Sequence, residues 1–451
     1  MKAATLTKKT SALCLSALLA FAGAAPAYAD SISLVRDAET EQMLRDYSTP
    51  IWRAAGLVPS SVRVHLVMDP GINAFVAGGQ RMFINTGLIT QSDEPMELIG
   101  VIAHETGHMA GGHLARGQEA MGKLALPYYA SMIAGLGAII AGAGDAGMAI
   151  LAGGSQVAMR SMLTYSRQQE GSADQAGATY LQRAGLSGKG MLLLFEKFRD
   201  QEALSTQQQD PFIRSHPISE DRLASLEERV KASPYFDKPD PPESIHHFKM
   251  VQAKLNGFVD APDVTFRRYP SSDQSDYAHY GRAVAYHKAG DNEKALSELE
   301  FLLKKDPKNP YLWELKGQIQ FEGGKVAESV PSYRQSLALK PNEPQFQLSL
   351  AQSMLAVEKP EFDREALGYL QESVKHDSEN PFAFYQLSIA YSRQNNIGMA
   401  ELSTAQYYEA IGAMKDARMH AEKAQSLLKA GSPEWLRAQD IVTARNEMED
   451  R

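Results

Sequence analysis

The hydrophobic pattern of the chain changes its period along its first third. Between residues 62 and 85, apolar and polar positions alternate in short runs that are interrupted at Gly78-Gly79, which is typical of strands joined by a hairpin. Residues 94–114 instead show a helical period, and Gly111-Gly112 marks a stop for that helix. We therefore expect a small sheet followed by a helix.

The last third of the chain repeats itself with a period of about 34 residues. Pro307 and Pro341 are one period apart, as are Pro310 and Pro344. Paired helices at this period are typical of tetratricopeptide repeats, in which small residues let the helices approach and prolines end them. The pattern predicts an α-solenoid with a concave binding surface over residues 276–446; separate helical hairpins without a groove are the alternative.

The beginning of the chain has a different pattern. Lysines precede an apolar run over residues 11–25, which ends at Ala27-Tyr28-Ala29. This order predicts a secretory signal peptide, residues 1–29, and a mature chain that starts at Asp30. A membrane anchor is the weaker interpretation, because the apolar run is short and ends in a cleavage-like site.

Composition limits the class of protein. Hydrophobic residues make up 44% of the chain and charged residues 22%, as in ordinary globular proteins. The net charge is −8 and becomes more negative without the lysines of the signal peptide, so we expect no nucleic-acid partner. The single cysteine, Cys14, lies in the signal peptide, so the mature chain has no disulfide. We divide the mature chain into residues 30–232, a catalytic domain; 233–275, a proline-rich linker and the start of the helical region; and the repeats.

A five-residue motif in the predicted helix carries the clearest chemistry. His104 and His108 are four residues apart, so they project from one face of a helix and can bind one metal ion. Glu105 is placed to act as a general base on a metal-bound water without becoming a ligand. The motif predicts one catalytic Zn²⁺ per chain, which needs a third protein ligand and a water.

The third ligand must come from another segment. His113 is not favoured, because on a continuing helix it would point away from His104; we expect a surface or capping residue there. Glu170 and Asp174 are better candidates, since a second helix would place both carboxylates on one face. Glu170 can complete the ligand set, and Asp174 can orient a ligand histidine. A solvated acidic face is the alternative.

Residues 124–144 carry no charge and are long enough in principle to cross a bilayer. A single crossing would separate the histidine motif from Glu170. We therefore favour a helical hairpin over residues 124–159 that covers the active site or lies at a membrane surface. A plain buried hairpin is the alternative.

Together these motifs resemble the gluzincin metallopeptidases of the family that includes the CAAX prenyl endopeptidase. The resemblance rests on His104-Glu105-x-x-His108, Glu170-x-x-x-Asp174, Asn73-Ala74-Phe75 and Asn85-Thr86-Gly87-Leu88. The signal peptide and the repeats narrow it to periplasmic members that act on outer-membrane proteins. The resemblance implies a mainly α protein: a helical metallopeptidase domain with a small β-sheet, zinc on His104, His108 and Glu170, Glu105 as base, and a tetratricopeptide solenoid.

The resemblance also implies a function for the segment from Ser215-His216-Pro217 to Arg222. His216 would either stabilise the oxyanion of the reaction or displace water as a fourth metal ligand that keeps the enzyme latent. Both alternatives stay open. Arg222 would support the site by pairing with a carboxylate.

Substrate is expected to bind as a strand added to a sheet edge, either Ala74–Ala77 or Met82–Asn85. Main-chain pairing reads little sequence, which suits quality control of unfolded chains. The resemblance points to unfolded or stalled outer-membrane β-barrel proteins as clients, with the repeats docking the client or the barrel assembly machinery. We expect a periplasmic zinc endopeptidase, with peripheral contact to the outer membrane through residues 124–159 as an option. The alternatives are a chaperone or docking scaffold with a latent site, and a purely structural zinc site.

Overall fold

The computed structural model describes residues 33–113, 116, 166–198 and 211–444. The expected signal peptide and the segment 124–159 lie outside these residues. Within the described part of the chain, no helix is long and apolar enough to span a bilayer.

A four-stranded sheet forms one side of the catalytic region. Its strands are β1 (Leu34–Val35), β2 (Arg63–Val67), β3 (Ala74–Ala77) and β4 (Arg81–Asn85), in the order β1-β2-β4-β3. β3 and β4 form the antiparallel hairpin predicted across Gly78-Gly79, and both glycines have positive φ. β2 runs parallel to β4, so β4 is an interior strand. The expectation that Met82–Asn85 could be an edge is therefore wrong, and β3 is the edge on that side.

Helices form the rest of this region, and α1, α2 and α3 contact the sheet. In chain order they are α1 (Ala38–Ala54), a short 3₁₀ turn (Pro59–Ser61), α2 (Thr86–Gln91), α3 (Pro95–Ala110), α4 (166–184), α5 (Lys189–Phe198), α6 (Pro211–Ser215) and α7 (Glu220–Lys231). α3 lies at the centre, and every residue from Pro95 to His108 is buried. It approaches α5 so closely that a Cβ on Gly190 would lie 1.8 Å from the carbonyl oxygen of Met96.

The C-terminal region is a stack of antiparallel helix pairs, which confirms the predicted solenoid. Its helices are α10 (Asp276–Lys288), α11 (Asn292–Lys305), α12 (Pro310–Glu322), α13 (Val326–Leu339), α14 (Pro344–Val357), α15 (Pro360–His376), α16 (Pro381–Arg393), α17 (Ile397–Ala410), α18 (Met414–Leu427) and α19 (Pro433–Thr443). The repeating small residues Ala295 and Ser329 are fully buried between helices. Pro310 and Pro344 each occupy the first turn of a helix, where a missing N–H costs nothing.

One helix belongs to both regions. α8 (Pro242–Val259) has 18 residues and is followed by α9 (Pro262–Arg268). Phe248 and Val251 of α8 pack in the catalytic core, whereas Met250 packs with Tyr280 in the core of the first repeat. The segment interpreted from the sequence as a linker and the start of the helical region therefore contains a helix whose buried positions join the two cores.

A cluster of charged groups is buried at this junction. Lys254 of α8 is only 2% exposed and forms ion pairs with Asp37 and Glu39 at the start of α1. Tyr280 of the first repeat donates a hydrogen bond of 2.6 Å to Glu39. Three segments that are distant in the sequence are thus held by one set of polar contacts.

Candidate metal centre

The histidine motif lies near the C-terminal end of α3, inside the protein. His104, Glu105 and His108 are all buried. The helical spacing places His104 and His108 on one face, with their Nε2 atoms 3.1 Å apart. Glu105 points to the same cavity, and neither of its carboxylate oxygens has a hydrogen-bond partner among the described residues.

Two glycines let α4 approach α3. A Cβ on Gly107 would lie 2.6 Å from the carbonyl oxygen of Ala173, and one on Gly177 would lie 3.0 Å from the backbone of Ala103. This close contact turns the acidic face of α4 towards the motif. Glu170 is 4% exposed and Asp174 is 1% exposed, so the alternative of a solvated acidic face does not hold.

Four side chains direct donor atoms to one point: His104, His108, Glu170 and His216. His104 Nε2 lies 3.4 Å from Glu170 Oε2 and 3.2 Å from His216 Nδ1. Glu170 also lies 3.3 Å from His108 Nε2 and 3.1 Å from His216 Nδ1. Donors at the corners of a tetrahedron with bonds of 2.0–2.1 Å are separated by about 3.3–3.4 Å, so these distances are close to those of donors that share one metal ion.

The electrostatics of the cluster also favour a cation. Burial opposes charge on His104, but hydrogen bonds to Asp174 and Glu170 raise its pKa to about 10. Burial likewise opposes charge on Glu170, yet its contacts with His104, His108 and His216 hold its pKa below the usual range. Two imidazoles and a carboxylate are the ligand types that zinc and similar transition metals take.

A second set of contacts orients the donors. Asp174 Oδ1 lies 2.9 Å from His104 Nδ1, so the ring N–H donates to the carboxylate and Nε2 is left to bind a metal. Arg222, at the start of α7, donates to both oxygens of Asp174 at 2.7 and 3.0 Å and lies 3.3 Å from Glu170. Asp174 therefore lies where it contacts the ring of His104, and Arg222 contacts both Asp174 and Glu170.

His113 was expected as a surface or capping residue, and the surface position is wrong. It is 5% exposed, and its Nδ1 lies 3.0 Å from His108 Nδ1. The helix ends at Ala110, and Gly112 with φ 61° turns the chain back towards α3. Burial and the neighbouring His108 lower the pKa of His113 to about 4, which keeps it neutral. The sequence contained a signal for the position of His113. The helix was predicted to stop at Gly111-Gly112, so His113 could not be placed as if the helix continued.

His216 follows α6 and reaches into the same cavity. Its Nε2 lies 3.3 Å from Glu105 Oε1, and that nitrogen is buried without a hydrogen-bond partner among the described residues. The preceding residue, Ser215, has its hydroxyl 3.4 Å from the side-chain oxygen of Asn73. The edge strand β3 therefore begins directly beside the metal centre.

The buried motif, a carboxylate on a second helix and a glutamate without a hydrogen-bond partner among the described residues define a metallopeptidase centre. Residues 36–230 match the model of Peptidase family M48, and residues 272–344 match a tetratricopeptide repeat. The chain is thus a metalloendopeptidase with an M48 peptidase domain followed by C-terminal tetratricopeptide repeats.

Curated proteins to which the chain is similar carry protease names. The beta-barrel assembly-enhancing protease of Escherichia coli (strain K12) is 26% identical over 434 residues, which cover 93% of this chain and 86% of the relative. The protein of the same name from Yersinia pestis is 25% identical and covers 73% of this chain and 68% of the relative. The metalloprotease LoiP of Escherichia coli (strain K12) is 27% identical and covers 39% of this chain and 64% of the relative.

Proposed function

We propose that this chain is a periplasmic, zinc-dependent endopeptidase that cleaves unfolded or stalled outer-membrane β-barrel proteins. The observation that carries the chemistry is the convergence of His104, His108 and Glu170 beside the buried carboxylate of Glu105, which makes no hydrogen bond within the described residues. The client class is supported by relatives named for β-barrel assembly that align with most of the chain. The periplasmic location is supported by the signal peptide expected at residues 1–29.

The residues have distinct roles in this proposal. His104, His108 and Glu170 hold the zinc ion, which when bound lowers the pKa of its water and polarises the substrate carbonyl. Glu105 accepts a proton from the attacking water and passes it to the leaving amine. Asp174 fixes the ring of His104, and Arg222 neutralises the excess negative charge of the two buried carboxylates.

His216 is proposed as a reversible fourth ligand. Its Nδ1 lies within 3.2 Å of donor atoms of both His104 and Glu170, at the separations that a tetrahedral site requires. With a metal ion bound, His216 would occupy the position of the water and would make the enzyme latent. When His216 leaves this position, its ring remains beside Glu105 and becomes available to stabilise the oxyanion.

A second candidate function is that of a docking scaffold or chaperone for barrel assembly. A cleft of about 930 Å³ separates the sheet from the repeats, with Arg63 and His65 on one wall and Asp377 and Phe384 on the other. Such a space suits a client segment or a component of the assembly machinery held near the active site. Peripheral membrane contact through residues 124–159 belongs to the same hypothesis.

The deciding experiment compares wild type with Glu105→Gln on an unfolded outer-membrane barrel protein, with and without a chelator. We expect cleavage to fall about 10²–10⁴-fold in the variant, because the general base is lost, and to stop with the chelator. Glu94→Gln, an exposed glutamate just before the same helix, is the matched control and should cleave like wild type. Unchanged cleavage by Glu105→Gln would refute the proposed peptidase.

Complementation separates the two candidate functions. In cells that lack this chain, the peptidase proposal expects Glu105→Gln to fail in restoring barrel assembly. Full restoration by Glu105→Gln would make the scaffold the main function. Mass analysis of the protein from the periplasmic fraction tests the location, since the proposal requires a first residue of Asp30.

A further inference from the structure

The outer face of the sheet carries a row of three aromatic rings, one from each of three neighbouring strands. The rings of His65 in β2 and Phe83 in β4 have centroids 4.9 Å apart, with 23° between their planes. Phe83 and Phe75 in β3 are also 4.9 Å apart and almost parallel, at 7°. All three side chains are half-buried. The spacing equals the separation of about 4.8 Å between adjacent strands, so each strand adds one ring to the row.

The backbone of β3 has one side that faces away from β4. Arg63 N donates to Gln80 O and Asn85 N donates to Asn73 O, so the odd-numbered residues of β4 pair with β3. Phe75 is opposite Phe83, and its peptide groups are therefore used within the sheet. The alternation of an antiparallel ladder then directs the peptide groups of Ala74 and Val76 to the outer edge.

A substrate strand that pairs antiparallel with this edge bonds to Ala74 and Val76. Its residue opposite Phe75 then forms a non-hydrogen-bonded pair, the type in which the two Cα atoms are closest, at about 4.5 Å. That residue has its side chain on the outer face, beside the ring of Phe75. The edge leads into the metal centre, because Asn73 is within 3.4 Å of Ser215, the neighbour of His216.

We propose that Phe75 is a specificity-determining residue that selects an aromatic side chain at the substrate position paired with it. An aromatic residue there continues the row His65-Phe83-Phe75 by one strand spacing, and stacked cross-strand rings stabilise a strand pair beyond the area they bury. The inference rests on the proposed peptidase function and on strand addition at β3. Strand addition through backbone hydrogen bonds alone does not select substrate side chains, and stacking on Phe75 would add such a selection.

The first test maps cleavage sites in β-casein, an unfolded probe, by mass spectrometry. We expect wild type to enrich Phe, Tyr and Trp about threefold to tenfold at one fixed distance from the cut. Phe75→Ala should remove this enrichment and Phe75→Tyr should keep it. Phe236→Ala deletes a half-buried ring that packs on the catalytic core and not in the aromatic row; it is the control and should keep the enrichment. No enrichment in wild type, or equal enrichment in Phe75→Ala, overturns the proposal.

A binding test separates this proposal from the peptidase itself. Fluorescent ten-residue peptides that differ only in a central Phe or Ala are titrated against the full chain carrying Glu105→Gln. The Phe peptide should bind about threefold to tenfold more tightly, and the difference should vanish when Phe75→Ala is added. Equal affinities overturn the stacking proposal, whereas a preference without cleavage by wild type refutes only the peptidase. If Phe75→Ala does not fold, Phe75→Leu fills a similar volume without a ring and is tested instead.

Discussion

In the part of the chain that the structure describes, the metal centre and the junction are both buried clusters of charged groups, and they are satisfied in different ways. At the metal centre, the donors of His104, His108 and Glu170 face one another at 3.1–3.4 Å, and Glu105 has no hydrogen-bond partner among the described residues. At the junction, Lys254 is neutralised by acidic groups of α1. The donor atoms of the first cluster remain available to bind a metal and a substrate. The charged groups of the second cluster are paired with one another. Unused capacity in a buried cluster is what distinguishes a functional site from a structural one.

The junction should be the more sensitive of the two in stability. Replacing Lys254 by Ala leaves Asp37 and Glu39 without their buried cation, so we expect the free energy of unfolding to fall by about 3–5 kcal/mol in urea denaturation. Arg81→Ala removes another ion pair between the two regions, but Arg81 and Glu379 are each 44% exposed, so less than about 1 kcal/mol should be lost. Equal losses in the two variants would contradict the comparison.

Glu314 makes the junction sensitive to pH. Burial, together with Asp37 and Glu39, raises its pKa to about 7 although Lys254 opposes the shift. The folded state therefore keeps this proton to a higher pH than the unfolded state does. Stability should fall as pH rises from about 4.5 to about 7, by about 3 kcal/mol from this group. Glu314→Gln should lack that decline in urea titrations at several pH values, and a variant with the same slope as wild type would refute the assignment.

The metal centre should respond in affinity instead of stability. Asp174→Asn weakens the orientation of His104, so we expect zinc to bind about 10–100-fold more weakly in competition with a chromogenic chelator. Asp221→Asn, on an exposed position of α7, is the control and should bind zinc like wild type. An unchanged zinc affinity in Asp174→Asn would show that this contact does not orient the ligand.

Local patterns were sufficient to predict much of this fold. The β3–β4 hairpin, the motif helix and the repeats each depend on spacings within a few tens of residues, and all were predicted. The interior position of β4 was missed because β2 pairs with it in parallel, which no turn between the two strands announces.

The candidate site was predictable where its residues share a helix face. Glu170 and Asp174 are four residues apart, so one helical argument covers both. His113 was misplaced because the helix was extended through its own stop signal. Lys254, Asp37 and Glu39 carry no local signal at all, since a lysine in a helix and acids in a first turn are usually solvated.

The buried helix α8 also has a consequence for the order of synthesis. Asp37 is 217 residues ahead of its partner Lys254, and Glu39 is 241 residues ahead of Tyr280. Helix α1 is made early on the ribosome, but its acidic end obtains its partners only after the whole catalytic segment and the first repeat helix have emerged. The catalytic region is therefore completed at its junction only after the first repeat helix has been made.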